Sequence, residues 1–383
     1  MSLSPLTKKE YKENFAGFAI KSIVYRPHRN TFVCTLVEDP DYGDENLPIS
    51  KALAREGDFV YRFLNFKLEP EHLASYMQTN PGFTNRALLV HSKETDVISL
   101  DFNGMGWEVK KEAFEEWPGY RIQQTDPTKA KAKKKAKKGL MGLQLNAPGG
   151  EWAFAKGRLR YIKELKVIDD VVYACGGIRK VLRRDGYDKW TDITLMKEHP
   201  QLQKEYLDAQ EADEKTPFVG SFNSVDGFNG NDIYACGSGG DFWHYSAKTW
   251  TKINMPNMEL NKVVCAGDGY VYVAARDGIV FKGRQAHERK SSHWEMIEAK
   301  LPELNDNSFE GAAWFKGKLY LSTSYGLYEL NDSKIQRVNF GKEVQHSFQH
   351  VTANDGILIS YGPYNALVFD GKEWKTIVSS LVK

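Results

Sequence analysis

His346 and His350 stand four residues apart, the spacing at which two imidazoles can share one zinc ion when the segment is helical. Here the pair runs into Val351-Thr-Ala-Asn354, a strand-like stretch, where positions four apart share a face but lie about 13 Å from one another. Zinc ligation by this pair is therefore not expected. The four cysteines, Cys34, Cys175, Cys236 and Cys265, have no Cys-x-x-Cys spacing and sit in apolar runs, so they are expected to be buried reduced thiols. The chain holds no Gly-x-Ser-x-Gly elbow, no Gly-x-x-x-x-Gly-Lys phosphate loop and no His-Glu-x-x-His motif. One polar set remains: Lys163, Asn223, Asn261, Glu310 and Gln349 recur at equivalent places ahead of successive turns. Around a common channel their oxygens could ligate a hard cation, but Lys163 would oppose it and no second carboxylate joins the set. These five are read as channel-lining residues, with no catalytic residue, metal or cofactor assigned.

The elements that would carry such residues are repeats. Trp-x-x-Ile occurs at Trp190, Trp250, Trp294 and Trp374, with a degenerate copy at Ile335-Gln-Arg-Val338. Apolar pairs form a second anchor: Val172-Tyr173, Ile233-Tyr234, Val271-Tyr272, Leu319-Tyr320 and Leu358-Ile359. Turn residues precede each pair, as in Gly267-Asp-Gly269 and Lys316-Gly-Lys318. A unit of about 40 residues, four short strands and three turns, is the size of a propeller blade. The fold is therefore expected to be all-β, a single β-propeller of four-stranded blades.

Blades are clear over 158–383 and weaker over 16–125, where strands are expected at Ala19–Tyr25, Thr31–Leu36, Ala87–His91 and Val97–Leu100, then near Trp107. This makes six or seven blades, with length favouring seven, and the ring is expected to close by pairing strands from the two chain ends. Residues 1–383 are read as one domain. A chain of 383 residues, 41% hydrophobic and 13% aromatic with 32 glycines, can bury a substantial core between many turns. No apolar run is long enough to span a bilayer, and Met1 to Glu10 has no signal-peptide character, so the expected location is cytoplasmic, away from membranes.

The Tyr-x-x-Gly and Trp-x-x-Ile pattern over 158–383 resembles bacterial β-propellers of the Kelch/BNR-like kind. It departs from named patterns. Only Gly176-Gly177 and Gly239-Gly240 supply a Kelch-like double glycine, no Gly-His/Trp-Asp pair marks WD40 blades, and no complete Asp-box is present. The resemblance implies the fold; function has to be argued from surfaces.

Two segments break the repeat. From Lys129 to Lys138, seven lysines fall in ten positions within a loop expected over 126–150, a solvated segment or a tether to nucleic acid. Without those seven charges the formal +2 becomes −5, so the folded body is mildly acidic and suits a basic protein partner. Residues 195–217 form the second, expected as a short amphipathic helical insertion carrying Glu205, Asp208 and Glu211 on its exposed side. In blade topology such a link shares a face with the loops between the two middle strands, which places Arg179, Asp241, Arg276, Asp277, Tyr325, Tyr361 and Tyr364 beside it. Tyr and Arg often anchor protein interfaces, so these ten residues are the expected partner-binding set.

The whole looks like a non-catalytic bacterial immunity protein that binds and neutralises one cognate toxin domain with a basic surface. Two alternatives follow from other resemblances. One is an assembly or scaffold propeller similar to photosystem-assembly BNR proteins. The other is a metal-dependent hydrolase, since the channel set resembles that of propeller lactonases.

Overall fold

The computed structural model describes residues 7–15, 18–26, 31–38, 162–186, 189–195, 220–284, 293–340, 347–354 and 356–380, positions 199, 201, 202 and 204, and the backbone of eight strands between 50 and 154. A short helix, α1 (Lys8–Asn14), precedes β1 (Phe18–Arg26), β2 (Thr31–Glu38), β3 (Ser50–Ala54) and β4 (Arg62–Lys67). Next come β5 (Arg86–His91), β6 (Asp96–Asp101), β7 (Trp107–Val109), β8 (Gly119–Gln124), β9 (Leu143–Asn146) and β10 (Trp152–Phe154). Thus the strands expected near residues 19, 31, 87, 97 and 107 are present. The expected 126–150 loop is corrected, because β9 lies inside it and pairs with β8. Residues 129–138 themselves lie outside the described residues.

Five four-stranded antiparallel sheets follow, each a meander. The first is β11 (Ile162–Ile168), β12 (Val171–Gly176), β13 (Lys180–Gly186) and β14 (Lys189–Asp192); the second is β15 (Phe222–Asn229), β16 (Asp232–Gly237), β17 (Phe242–Ser246) and β18 (Thr249–Lys252). The third is β19 (Leu260–Cys265), β20 (Val271–Ala275), β21 (Ile279–Gly283) and β22 (Trp294–Glu298); the fourth is β23 (Gly311–Phe315), β24 (Lys318–Thr323), β25 (Gly326–Asn331) and β26 (Lys334–Arg337). The fifth is β27 (His350–Asn354), β28 (Ile357–Gly362), β29 (Asn365–Phe369) and β30 (Trp374–Ser379). The protein is an all-β propeller with four-stranded blades.

The repeat anchors explain the packing. The apolar pairs all lie on the second strand of a blade, flanked by strands on both sides and pressed between neighbouring sheets, so both of their faces are buried. Each fully buried aromatic such as Tyr173, Tyr234 or Tyr328 contributes about 2 kcal/mol through desolvation. The Trp-x-x-Ile tryptophans lie on the outermost strands. Trp250 donates its Nε1 proton to the carbonyl of Ile193 in the preceding blade, 2.7 Å away, which ties the rims of two sheets together. The core therefore lies between sheets; one cluster joins Ile168 and Tyr173 of one blade to Val225, Ile233 and Trp243 of the next.

The expected strand exchange at ring closure is corrected. The last sheet is made entirely of β27–β30, and β1 belongs to a separate sheet of order β1-β2-β3-β4-β8-β9. The ends meet by face packing: Phe15, Ile20, Ile23 and Tyr25 share one core with Ile357, Ile359, Ala366 and Val378. The Ile20 amide donates to the Pro363 carbonyl at 2.6 Å, and the Asn354 side-chain amide donates to the Tyr25 carbonyl at 3.1 Å. Burial and a few hydrogen bonds, in place of a shared strand ladder, hold this seam.

Candidate protein-docking face

A four-stranded meander places the loop between its second and third strands on the same face as the link to the next blade. One backbone stitch recurs there. The Arg179 amide donates to the Gly220 carbonyl (3.0 Å), Gly240 to Met258 (2.7 Å) and Asp277 to Asn307 (2.8 Å), in each case a middle-strand loop bonded to the outgoing link. At the last blade, the Asn365 side chain exchanges two bonds with the Ser347 backbone, at 2.9 and 3.2 Å. This face is a stitched rim of loops.

Arg179 and Asp241 meet on it. The Arg179 Nε donates to Asp241 Oδ2 at 2.5 Å, while Asp241 Oδ1 accepts the Trp243 indole proton at 2.6 Å. Asp241 is 4% exposed, so it supports the loops, and its expected place in a contact surface is corrected. The physical reason is desolvation: its buried oxygens are already satisfied by the Arg179 guanidinium and the buried Trp243 indole. Gly220 lets the pair sit close to the link, since a Cβ there would come within 2.7 Å of the Arg179 guanidinium and displace it.

The start of the 195–217 insertion is held against the same indole. The His199 ring stands edge-on to Trp243 with centroids 5.0 Å apart, and its Nε2 bonds the Trp250 carbonyl at 3.1 Å. Leu195 is buried, Leu202 packs against the same core, and Gln201, Leu202 and Lys204 have helical backbone. Glu205, Asp208 and Glu211 lie outside the described residues.

Tyr361 is also corrected. It belongs to β28 rather than to the following loop and is 8% exposed, within the seam between the chain ends. Its hydroxyl bonds Ser22 and the Ile23 backbone, and burial pushes its pKa up to about 12. Tyr364 occupies the loop as expected and is half-buried. Arg276 and Asp277 are exposed at the β20–β21 turn, and Tyr325 is the most exposed at 67%.

Within the channel set, Lys163 donates to Asn223 at 2.6 Å, and Asn223 donates on to the Leu260 carbonyl at 2.9 Å. Glu310 accepts from Ser324 at 2.6 Å, and the Gln349 carbonyl accepts from Ser322 at 3.1 Å. Asn261 is half-buried on β19. The sequence reading missed the charged ties between innermost strands. Glu164 on β11 accepts the Val225 amide (2.8 Å) and the Lys262 ammonium (2.5 Å), reaching across two blades. Lys166 pairs with Asp226 at 3.0 Å, and Asp226 also accepts the Cys265 amide at 3.1 Å. Burial raises the Asp226 carboxyl above its usual range against the pull of Lys166. The charges of Lys163 to Lys166 were visible as types, but only the stagger of adjacent blades pairs them.

The opposite face bears a cleft of about 500 Å³ lined by Asp169, Asp170, Tyr173, Arg183, Asp185 and Gly230 among others. Its Asp185 already bonds Arg183 and Thr191. Among the described residues, no group of three His, Cys, Asp or Glu converges to hold a metal ion. The cysteines are free, with Cys34, Cys175 and Cys236 buried and Cys265 half-buried; burial pushes the Cys34 thiol up to about 12.

No family model matches the chain. Over 232 residues it is 32% identical to the immune protein Tsi7 of Pseudomonas aeruginosa, a stretch covering 60% of this chain and 68% of that protein. The chain belongs to the Tsi7 family. Solved structures show the fold alone: the Cps50 (Swd1) β-propeller domain of Myceliophteria thermophila superposes with a TM-score of 0.52 at 8% identity, covering 90% of this chain and 94% of that one. YCF48 of Cyanidioschyzon merolae superposes with a TM-score of 0.50 at 10% identity, covering 92% and 95%. In this Tsi7-family propeller the opposite ends of the strands close in short hairpins such as Asp169-Asp170 and Lys316-Gly317. No helix among the described residues is long and apolar enough to cross a membrane.

Proposed function

We propose that this chain is an immunity protein that binds one cognate toxin domain through its loop face and neutralises it by occlusion, without catalysis. Membership in the Tsi7 family is the observation that carries this reading. The rigid loop rim supports it, because a preorganised surface loses little conformational entropy on binding. The polar groups of the channel support a non-catalytic role: Lys163, Asn223, Glu164 and Lys262 are engaged with one another or with backbone. We take residues 1–383 as one ring of seven blades in the cytoplasm. In that ring β1–β4 form one blade and β5, β6, β7 and β10 another, since β5 runs beside both β1 and β11, and β6 beside β7.

The partner surface is basic in this reading, matched to Glu205, Asp208 and Glu211 of the insertion together with exposed Asp277. The test is coexpression in bacteria of this chain with the polypeptides encoded beside its gene. Rescue of growth from one such polypeptide, and a stoichiometric complex with it on size exclusion, is the expected result; failure of rescue by every neighbour overturns the reading. With the rescued toxin as ligand, reversing the charge of Glu205, Asp208 and Glu211 together is expected to slow association about tenfold at low salt and flatten its salt dependence.

A further inference from the structure

On the hairpin face, the cleft of about 500 Å³ runs between the first two blades, with Tyr173 of β12 on one side and Gly230 of the β15–β16 hairpin on the other. Its volume is that of a small-molecule pocket. The Tyr173 ring packs in the core shared by the two blades and the residue is only 1% exposed. Its hydroxyl nevertheless reaches the cleft, where among the described residues it bonds no protein group. Burial pushes the phenol's pKa up, so it stays protonated at neutral pH, able both to donate and to accept. A buried hydroxyl without a partner costs about 1–3 kcal/mol, which a bound ligand would recover.

The cleft wall keeps that hydroxyl open. At Gly230 a Cβ would come within 3.1 Å of it, so any larger residue would crowd the approach. Arg183 lies directly across the β12–β13 ladder from Tyr173, which sets guanidinium and phenol on one face. The Arg183 side chain is 46% exposed and is steered by Asp185, whose Oδ1 accepts from its Nε at 2.9 Å and its Nη2 at 2.7 Å. The other Asp185 oxygen accepts the Thr191 hydroxyl. Asp169 and Asp170 stand exposed at the mouth, and Ile168 and Val171 add an apolar strip.

The charges of this wall are of both signs, and the central pair is spent on itself. An ionic ligand of either sign would meet one attraction and one repulsion. A neutral ligand whose every hydroxyl both donates and accepts can pair with guanidinium, carboxylate and phenol alike, and lay its C–H face on the apolar strip.

We infer that the cleft between the first two blades is a binding site for a neutral saccharide, whose hydroxyls are held by the unpaired Tyr173 hydroxyl and the Arg183–Asp185 pair. The site lies on the face away from the loops. It therefore stands or falls independently of the immunity reading.

The test is ligand-observed NMR followed by calorimetry on the full chain, with glucose, galactose, N-acetylglucosamine, maltose and lactose as probes, each to about 10 mM. At least one is expected to bind with a millimolar Kd. Tyr173→Phe keeps the packed ring and removes only the hydroxyl, so it is expected to weaken that binding about tenfold while melting at or slightly above the wild-type temperature. Gly230→Ala is expected to weaken it by a similar factor by crowding the hydroxyl. Absence of binding by every probe, or binding that Tyr173→Phe leaves unaltered, overturns the site. Tighter binding of acetate or spermidine than of any sugar overturns the neutral class. A lowered melting temperature in Tyr173→Phe would show that the hydroxyl serves the fold, which removes the unpaired group on which the site depends.

Discussion

Arg179 and Asp241 look from their types like surface contacts, yet together with Trp243 they form a bonded unit below the loops. Asp241→Ala removes the acceptor for two donors and strands a guanidinium whose side chain is only 16% exposed. It is expected to cost about 3 kcal/mol in urea denaturation, against about 0.5 or less for an ordinary surface residue. A second residue-scale prediction concerns acid. Burial alone would raise the Asp232 carboxyl, but bonds and charges from His244 (2.8 Å) and Arg284 (2.9 Å) outweigh it and hold the pKa below the usual range. A carboxyl depressed in the folded state contributes stability above its unfolded pKa, and that contribution is lost as pH falls through the depressed value. Asp232→Asn should therefore be less stable at pH 7 and show a shallower fall in stability from pH 5 to pH 3 than wild type, measured by denaturant midpoints across that range.

At the scale of elements, the second strand of each blade ends on a residue that must lie close to the incoming link. Gly237 closes β16 with extended backbone, φ of −158°, so its requirement is space: a Cβ would come within 2.1 Å of the Ser221 carbonyl oxygen. Gly317 presents the opposite case, with φ of 83° and nothing within 4 Å. Gly237→Ala should cost about 3 kcal/mol because backbone must move, and Gly317→Ala about 1 from conformation alone. Thermal melts of the two variants separate these costs. The same contrast explains what was legible. The five second-strand apolar pairs announce themselves by sequence because burial on both faces demands apolar types there. Tyr361 fits that pattern once β28 is extended to Gly362: it stands just before the middle-strand loop, and packing against the chain's other end buries it.

For the whole molecule, the seam where the chain ends meet is expected to open first. The seam between β1 and the last blade is a packed interface carrying a few hydrogen bonds, among them those of the Tyr361 hydroxyl to Ser22 and the Ile23 backbone. Tyr361→Phe keeps the ring's buried area and removes both, with an expected loss of about 1–2 kcal/mol. Hydrogen exchange should quicken first in β1 and β28, while β16 and β20 stay protected; uniform acceleration would count against a seam that opens locally.

By itself, the sequence determined the all-β propeller, its blade period and the face that gathers irregular loops. Those properties follow from strand periodicity and turn chemistry, which are local, and a meander leaves no freedom in which face its loops occupy. Only the tertiary structure decided which charged groups are spent on one another. Glu164 meets Lys262 ninety-eight residues away, Arg179 meets Asp241 of the adjoining blade, and Tyr361 meets Ser22 across the seam. Such pairings depend on the stagger and approach of whole sheets, to which no short stretch of chain is sensitive.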